Sequence, residues 1–233
     1  MREFTMCKNE RHFGFCLTFF VTLFLFSQSG FSATNDGKLL SKTPINSYSS
    51  TKLERWHDIL NNHLSDIHNS RAPNIETWYE FMNMVSHEPK LRQLMRVNAW
   101  FEQFPHKQDN WVYKKDDYWA SPVEFLTQGG DCEDYAIIKY MTLRQLGWSA
   151  EDMKIAMVYD VYSGTDHAFL TVHHKGAEFV LDNREKLVVS RYMKNRYRPH
   201  YAFNEQTLWI YDSPIMVQKM RKGAKGTVMP GNR

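Results

Sequence analysis

Cys132, His167 and Asp182 are the side chains whose types and surroundings suit nucleophilic catalysis. Cys132 follows Gly129-Gly130-Asp131 and opens a run with Tyr135, Ile138, Tyr140, Leu143 and Leu146 at helical spacing, stopped by Gly147. The thiol therefore falls in the first turn of a predicted helix. There the backbone N–H groups point outward and the dipole favours an anion, which lowers a thiol's pKa. A thiolate also needs a proton shuttle and a group that orients the shuttle. His167 opens one predicted strand and Asp182 closes the next, with Lys175-Gly176 in the turn between them. A two-residue loop sets His167 opposite Asp182 or diagonal to it, on one face of the sheet in either register. A three-residue loop would put the two on opposite faces.

Asp131, Glu133 and Asp134 surround the thiol. Acids are ordinary partners of a first helical turn, yet three carboxylates beside a sulfur raise its pKa by like-charge repulsion. A bound cation would offset them. Hard oxygen donors select Ca2+ over Zn2+, because Ca2+ takes six to eight oxygens in flexible geometry. Glu151 and Asp152, just past the helix, are further candidate ligands. The spacing is not that of an EF-hand loop. His63 and His68 lie five apart, which does not match the i,i+4 pair of a helical metal site.

The N-terminus changes the meaning of the cysteine count. Lys8 and Arg11 precede an apolar run from Phe13 to Phe26, and Ser27, Ser29, Gly30, Ser32 and Ala33 follow. This is the pattern of a secretory signal peptide, residues 1–33, and predicts an exported protein. An uncleaved anchor is the competing reading, although the run is shorter than the roughly 20 residues of a membrane span. Cleavage after Ala33 would remove Cys7 and Cys16 and leave Cys132 as a single thiol in an oxidising compartment, a candidate reactive group. A formal charge of +3 lacks the basic footprint of a nucleic-acid binder. With 42% hydrophobic and 24% charged residues the composition is that of a globular domain.

These groups must be held by helices followed by strands. Residues 34–50 are polar and aperiodic and read as a flexible arm. Thr51-Lys-Leu-Glu54 has capping-box spacing, and Leu53, Trp56, Leu60, Leu64 and Ile67 recur behind it. A second helix from Asn74 buries Trp78, Phe81, Met82 and Val85. A third follows Pro89 with Leu91, Leu94, Met95, Trp100 and Phe101. His106 to Asp117 reads as a polar loop. Ser121-Pro122 caps a short helix toward Gln128. Strands are expected over Lys154–Tyr162, His167–His173 and Glu178–Asp182. The domain spans 51–212 and is α+β, helices packed on an antiparallel sheet; residues 213–233 form a basic tail.

The segment Trp119-Ala-Ser-Pro122-Val-Glu124-Phe-Leu-Thr-Gln-Gly129-Gly130-Asp131-Cys132-Glu133-Asp134-Tyr135-Ala136, with Lys139-Tyr140 behind it, resembles the active-site signature of the bacterial transglutaminase-like cysteine proteinases. Asp166-His167-Ala-Phe-Leu resembles the family's histidine strand and Val180-Leu-Asp182-Asn183 its aspartate strand. Arg198 to Trp209 resembles its closing segment. Phe169 stands where a smaller aliphatic residue is expected. The resemblance covers roughly Ile75 to Tyr211 and implies a transglutaminase/papain-like fold. It further implies a calcium-dependent periplasmic endoprotease with Cys132 as nucleophile, His167 as acid and base, and Asp182 as its orienter. Asp131, Glu133 and Asp134 match the calcium-binding stretch. The implied substrate is a large repetitive cell-surface adhesin, cut near its N-terminus at a dialanine-containing site. The implied inhibitory partner is an inner-membrane cyclic di-GMP receptor. A transglutaminase and a non-catalytic calcium-stabilised binding protein are the two rival readings.

Overall fold

The computed structural model describes residues 39–40, 51–70, 72 and 74–211. The expected signal peptide, most of the expected arm, the Thr51 side chain of the expected capping box and the basic tail lie outside the described residues. Three helices lead: α1 (Thr51–Asn69), α2 (Asn74–Ser86) and α3 (Lys90–Trp100). A four-residue α4 (Asp109–Val112) follows, then α5 (Pro122–Gln128) and α6 (Cys132–Gln145). Six strands complete the described residues: β1 (Met153–Asp160), β2 (Thr165–His174), β3 (Ala177–Leu181), β4 (Val188–Val189), β5 (Tyr197–Phe203) and β6 (Leu208–Ile210). They form one antiparallel sheet in the order β4-β3-β2-β1-β5-β6. Among the described residues no helix is long and apolar enough to cross a membrane.

The helices bury one stripe each, and two stripes differ from the sequence expectation. In α1 the inner face is Trp56, Ile59, His63 and Ile67, and Leu64 is exposed. His63 is accommodated by a hydrogen bond with Gln145. In α3 the inner face is Leu94, Val97 and Phe101 flanked by Gln93 and Asn98, which turns Leu91 and Met95 outward. Gln93 tolerates burial because it accepts from Trp148 Nε1 and donates to the Ser86 and Glu88 carbonyls. Polar side chains with fixed partners thus displaced apolar ones from the core. The expected loop after His106 contains α4, and Trp111 on it is exposed.

α6 lies against β1 and β2, so the strands it covers are buried on that side by Met153, Ile155, Leu170 and Val172. Its residues from Asp134 to Thr142 are all buried, because α3 and α5 cover the side facing away from the sheet. The opposite face of the sheet carries a second apolar cluster of Ala156, Val158, Phe169, Val180, Tyr197 and Ala202, closed by Met193 and Tyr211. Leu39 and Leu40 join this cluster and are buried. These two residues of the expected arm are therefore packed. Coverage on both faces explains why Ala168 to Val172 are buried without a break.

Two backbone details position the site. Lys175 and Gly176 both have positive φ (48° and 79°), which makes the β2–β3 connection a two-residue loop of the primed type. The register pairs Leu170 with Leu181 and Thr171 with Val180. Continued one step, it sets Asp182 opposite Phe169 and diagonal to His167, the second of the two expected arrangements. β5, which the sequence reading left without an assigned strand, accepts Pro199 because the β1–β5 register shifts there. The shift leaves His200 unopposed, and its Nε2 lies 3.1 Å from Asp166 Oδ1.

Candidate active site

The helix that carries Cys132 starts where a glycine pair allows two segments to approach. Gly129 has φ +79°, and a Cβ there would overlap the Pro105 carbonyl; a Cβ on Gly130 would overlap the Asp134 carboxylate. With no side chains in the way, Gly130 N–H donates to Pro105 O and Lys107 N–H to Gly130 O, tying the segment before α4 to the start of α6. Asp134, fully buried, accepts from the N–H groups of Ala120 (2.7 Å) and Asp131 (3.1 Å). Ser121 caps α5 as expected and forms a capping box with Glu124, which also pairs with Arg55 at 2.9 Å.

Cys132 is half-buried, and the backbone N–H of Ala168 is near enough to its sulfur to favour the thiolate. That places the thiol beside the residue that follows His167 on β2. His167 Nε2 lies 2.9 Å and 3.1 Å from the two oxygens of Asp182. Both side chains are wholly buried. His167 Nδ1 is buried with no hydrogen-bond partner among the described residues, so it is the nitrogen left for proton transfer. Asp182 also accepts from Arg184 N–H (3.0 Å) and Tyr197 O–H (3.1 Å). Burial alone would raise the Asp182 pKa. The His167 hydrogen bond and charge, with the Arg184 and Tyr197 donors, outweigh it and hold the carboxyl below the ordinary carboxylate value.

The thiol itself is pushed the other way. Burial, then the negative charges of Glu133 and Asp131, raise the Cys132 pKa well above its ordinary value, with the Ala168 N–H opposing. The Cys132 S–H donates to Glu133 Oε2 at 3.1 Å. The helix dipole expected to favour a thiolate is thus overridden by burial and by the acids around it. Those acids extend beyond the sequence expectation. Donor atoms of Asp109, Asp131 and Asp134 lie within 4.8 Å of one another, as do those of Asp109, Asp117 and Glu133. Burial and the neighbouring carboxylates push Asp131 up to about 10. Its Oδ1 is buried without a hydrogen-bond partner among the described residues.

This donor set fits a dication: five carboxylates, oxygen only, one of them with an orphaned buried oxygen. Asp109 and Asp117 were hidden in what read as a polar loop; their spacing to Asp131 is set by α4 and the Tyr118 N–H, which donates to Asp109 Oδ2. Glu151 and Asp152, named above as further candidates, are not part of the cluster. They sit in a 3-10 turn before Met153, and Asp152 faces His173. Met153 pairs with Val172, whereas His167 pairs with Val158, so the turn lies at the far end of β1, about 17 Å along the strand. Phe169, the departure from the family pattern, points into the second apolar cluster, where Tyr197 packs against it at 5.0 Å between ring centroids.

Comparisons with known proteins bear on the family and the fold. The family model described as bacterial transglutaminase-like cysteine proteinase BTLCP matches residues 69–210. Calcium-bound LapG of Legionella pneumophila is similar in structure, with a TM-score of 0.55 and 28% identity over 73% of this chain and 97% of that one. The EGTA-treated form of the same protein gives 0.54 and 29% identity, covering 73% of this chain and 89% of that one. No curated protein matches the sequence. With the match extending over more than half of its length, from the end of α1 to the last strand, the chain belongs to the bacterial transglutaminase-like cysteine proteinases.

Proposed function

We propose that the protein is a calcium-dependent cysteine endoprotease whose catalytic groups are Cys132, His167 and Asp182. The observation that carries this reading is the His167–Asp182 pair. It engages Nε2 and leaves Nδ1 without a hydrogen-bond partner among the described residues, next to Ala168, whose N–H acts on the Cys132 sulfur. In the forward step His167 takes the thiol proton and Cys132 attacks the scissile carbonyl. His167 then protonates the leaving amine, and water resolves the thioester with His167 as base. Asp182 keeps the imidazole oriented and stabilises it while it is charged, as the acid of a triad does. The Cys132 backbone N–H at the helix start is a natural oxyanion donor.

Asp131, Glu133 and Asp134, with Asp109 and Asp117, would hold the calcium ion. Bound there, it supplies positive charge that offsets the acidic cluster and fixes the start of α6. The calcium-bound and EGTA-treated forms of the Legionella protein support this reading. The substrate we propose is the N-terminal region of a large repetitive surface adhesin, released from the cell by the cut so that biofilm disperses. The signal-peptide pattern of residues 1–33 supports a periplasmic site of action, with an inner-membrane cyclic di-GMP receptor as the restraining partner.

The test is cleavage of an adhesin N-terminal fragment from the same cell by wild type and Cys132→Ala, each with calcium and with EGTA. The expected result is a single cut at a dialanine-type site by calcium-loaded wild type alone. Equal cutting by Cys132→Ala would remove the nucleophile assignment. Amine incorporation with little hydrolysis would make the protein a transglutaminase, and binding without cutting by both forms would make it a docking protein.

A further inference from the structure

Lys139 is a buried cation that the mechanism above does not use. It lies seven residues past Cys132 on α6, two turns along the same side of the helix, and is 1% exposed. Its Nζ donates to Asn98 Oδ1 at 2.9 Å. Asn98, 1% exposed on α3, donates from Nδ2 to the Glu185 carbonyl at 2.9 Å. Glu185 stands three residues after Asp182, in the segment that leaves β3. Its carboxylate holds Arg196 at 2.7 Å, and the Arg184 N–H just before it donates to Asp182. Two hydrogen bonds thus connect the helix that bears the nucleophile to the backbone that bears the acid of the His–Asp pair.

Stability does not explain the amine. A methionine at this site would fill the space without desolvating a charge, and replacing a buried charge by an apolar side chain of similar volume is often neutral or stabilising. What the amine adds is the bond to Asn98 and a positive charge that acts on Asp182 and Glu102. Burial lowers its pKa to about 7, and the charges of Asp182 and Glu102 work against that fall. The Tyr135 ring, 5.7 Å from Nζ, adds a weaker attraction.

We infer that Lys139, acting through Asn98, is a positioning residue that sets the Asp182 segment against the Cys132 helix and so holds His167 in register with the thiol. This rests on the assignment of Cys132, His167 and Asp182 proposed above. The two variants that separate it from a packing role are Lys139→Met and Asn98→Asp. The first removes the amine. The second keeps an acceptor for the lysine but loses the donor to Glu185 O.

The experiment uses the calcium-loaded protein and three readouts: melting temperature, kcat and KM on the adhesin fragment, and the rate of iodoacetamide alkylation read on the Cys132 peptide by mass spectrometry. Both variants are expected to fold, with kcat about 10- to 100-fold lower, KM within about two-fold, and alkylation slowed in parallel, since a displacement of about 1 Å in a catalytic group has effects of that size. Folded variants with wild-type kcat and wild-type alkylation would overturn the inference. If Lys139→Met fails to fold, Asn98→Asp carries the test alone. Cleavage that persists in Cys132→Ala would instead overturn the nucleophile assignment, and the alkylation rates of the two variants separate that failure from this one.

Discussion

Tyr197→Phe isolates one hydrogen bond of the site. The Tyr197 hydroxyl donates to Asp182 Oδ2 at 3.1 Å. Its ring packs on His167 at 5.8 Å and on Phe169 at 5.0 Å, and phenylalanine keeps both contacts. Burial and then the Asp182 charge raise the Tyr197 pKa above its ordinary value, so the phenol remains a proton donor throughout the accessible range. A hydrogen bond to a buried charged group contributes about 1.5–3 kcal/mol. For a domain of this size that corresponds to a fall in Tm of about 3–12 °C. The sign with pH follows from the Asp182 carboxyl, which the fold holds below its ordinary value. Stability from such a group is complete above the unfolded pKa of about 4 and is lost as pH falls through the lower folded value. The deficit of the variant is therefore full at pH 7 and narrows in acid. With Asp182 in its proposed role of stabilising the imidazolium, kcat should fall by about 10-fold, with about 100-fold as the ceiling set by the same bond. Urea denaturation at pH 7 and in steps from about pH 4 down to about pH 2, where the lowered Asp182 carboxyl protonates, with kcat and KM at pH 7, reads all three quantities. A variant with wild-type stability and kcat would refute the reasoning. A deficit that stays constant into acid would assign the loss to packing instead of to the carboxylate.

Three further outcomes are expected. Gly130→Ala forces Asp134 away from the Ala120 and Asp131 N–H groups, so it should lose about 1–3 kcal/mol and bind calcium more weakly in calorimetry; wild-type affinity would contradict the overlap. Calcium at about 100 times its dissociation constant should add about 2.7 kcal/mol, a Tm rise of about 5–11 °C reversed by EGTA; indistinguishable melts would remove the metal site. Arg196→Met strips the fully buried Asp160 of its guanidinium bonds at 3.0 and 3.2 Å and leaves Arg184 at 3.6 Å, which should destabilise the protein by about 3 kcal/mol at pH 7. Burial, which would raise the Asp160 pKa, is outweighed by Arg196, so this deficit too should shrink as pH falls, and a pH-independent one would contradict the pairing.

Much of the site was legible because it rests on local rules. The Gly129-Gly130-Asp131-Cys132 segment reads as a helix start from its own residues, and Ser121-Pro122 announces the cap and first turn of α5. The Lys175-Gly176 turn constrains which residues share a face, so the turn alone puts His167 and Asp182 on one side of the sheet. The side of each helix that faces inward was less legible. Leu64, Leu91 and Met95 have the hydropathy of core residues, yet they are exposed, because His63, Gln93 and Asn98 face inward and find hydrogen-bond partners on other elements.

Local sequence determined the helix that begins at Cys132, the hairpin of His167 and Asp182 and the acidic stretch around the thiol, since each depends on neighbours a few residues apart. Tertiary structure alone decided what completes them. Asp109 and Asp117 reach the Asp131–Asp134 cluster, Tyr197 reaches Asp182 from β5, and Lys139 reaches the Asp182 segment through Asn98. The reason is physical. A buried carboxylate or amine needs partners wherever the fold brings them within about 3 Å, and that distance is set by packing between elements remote in the chain.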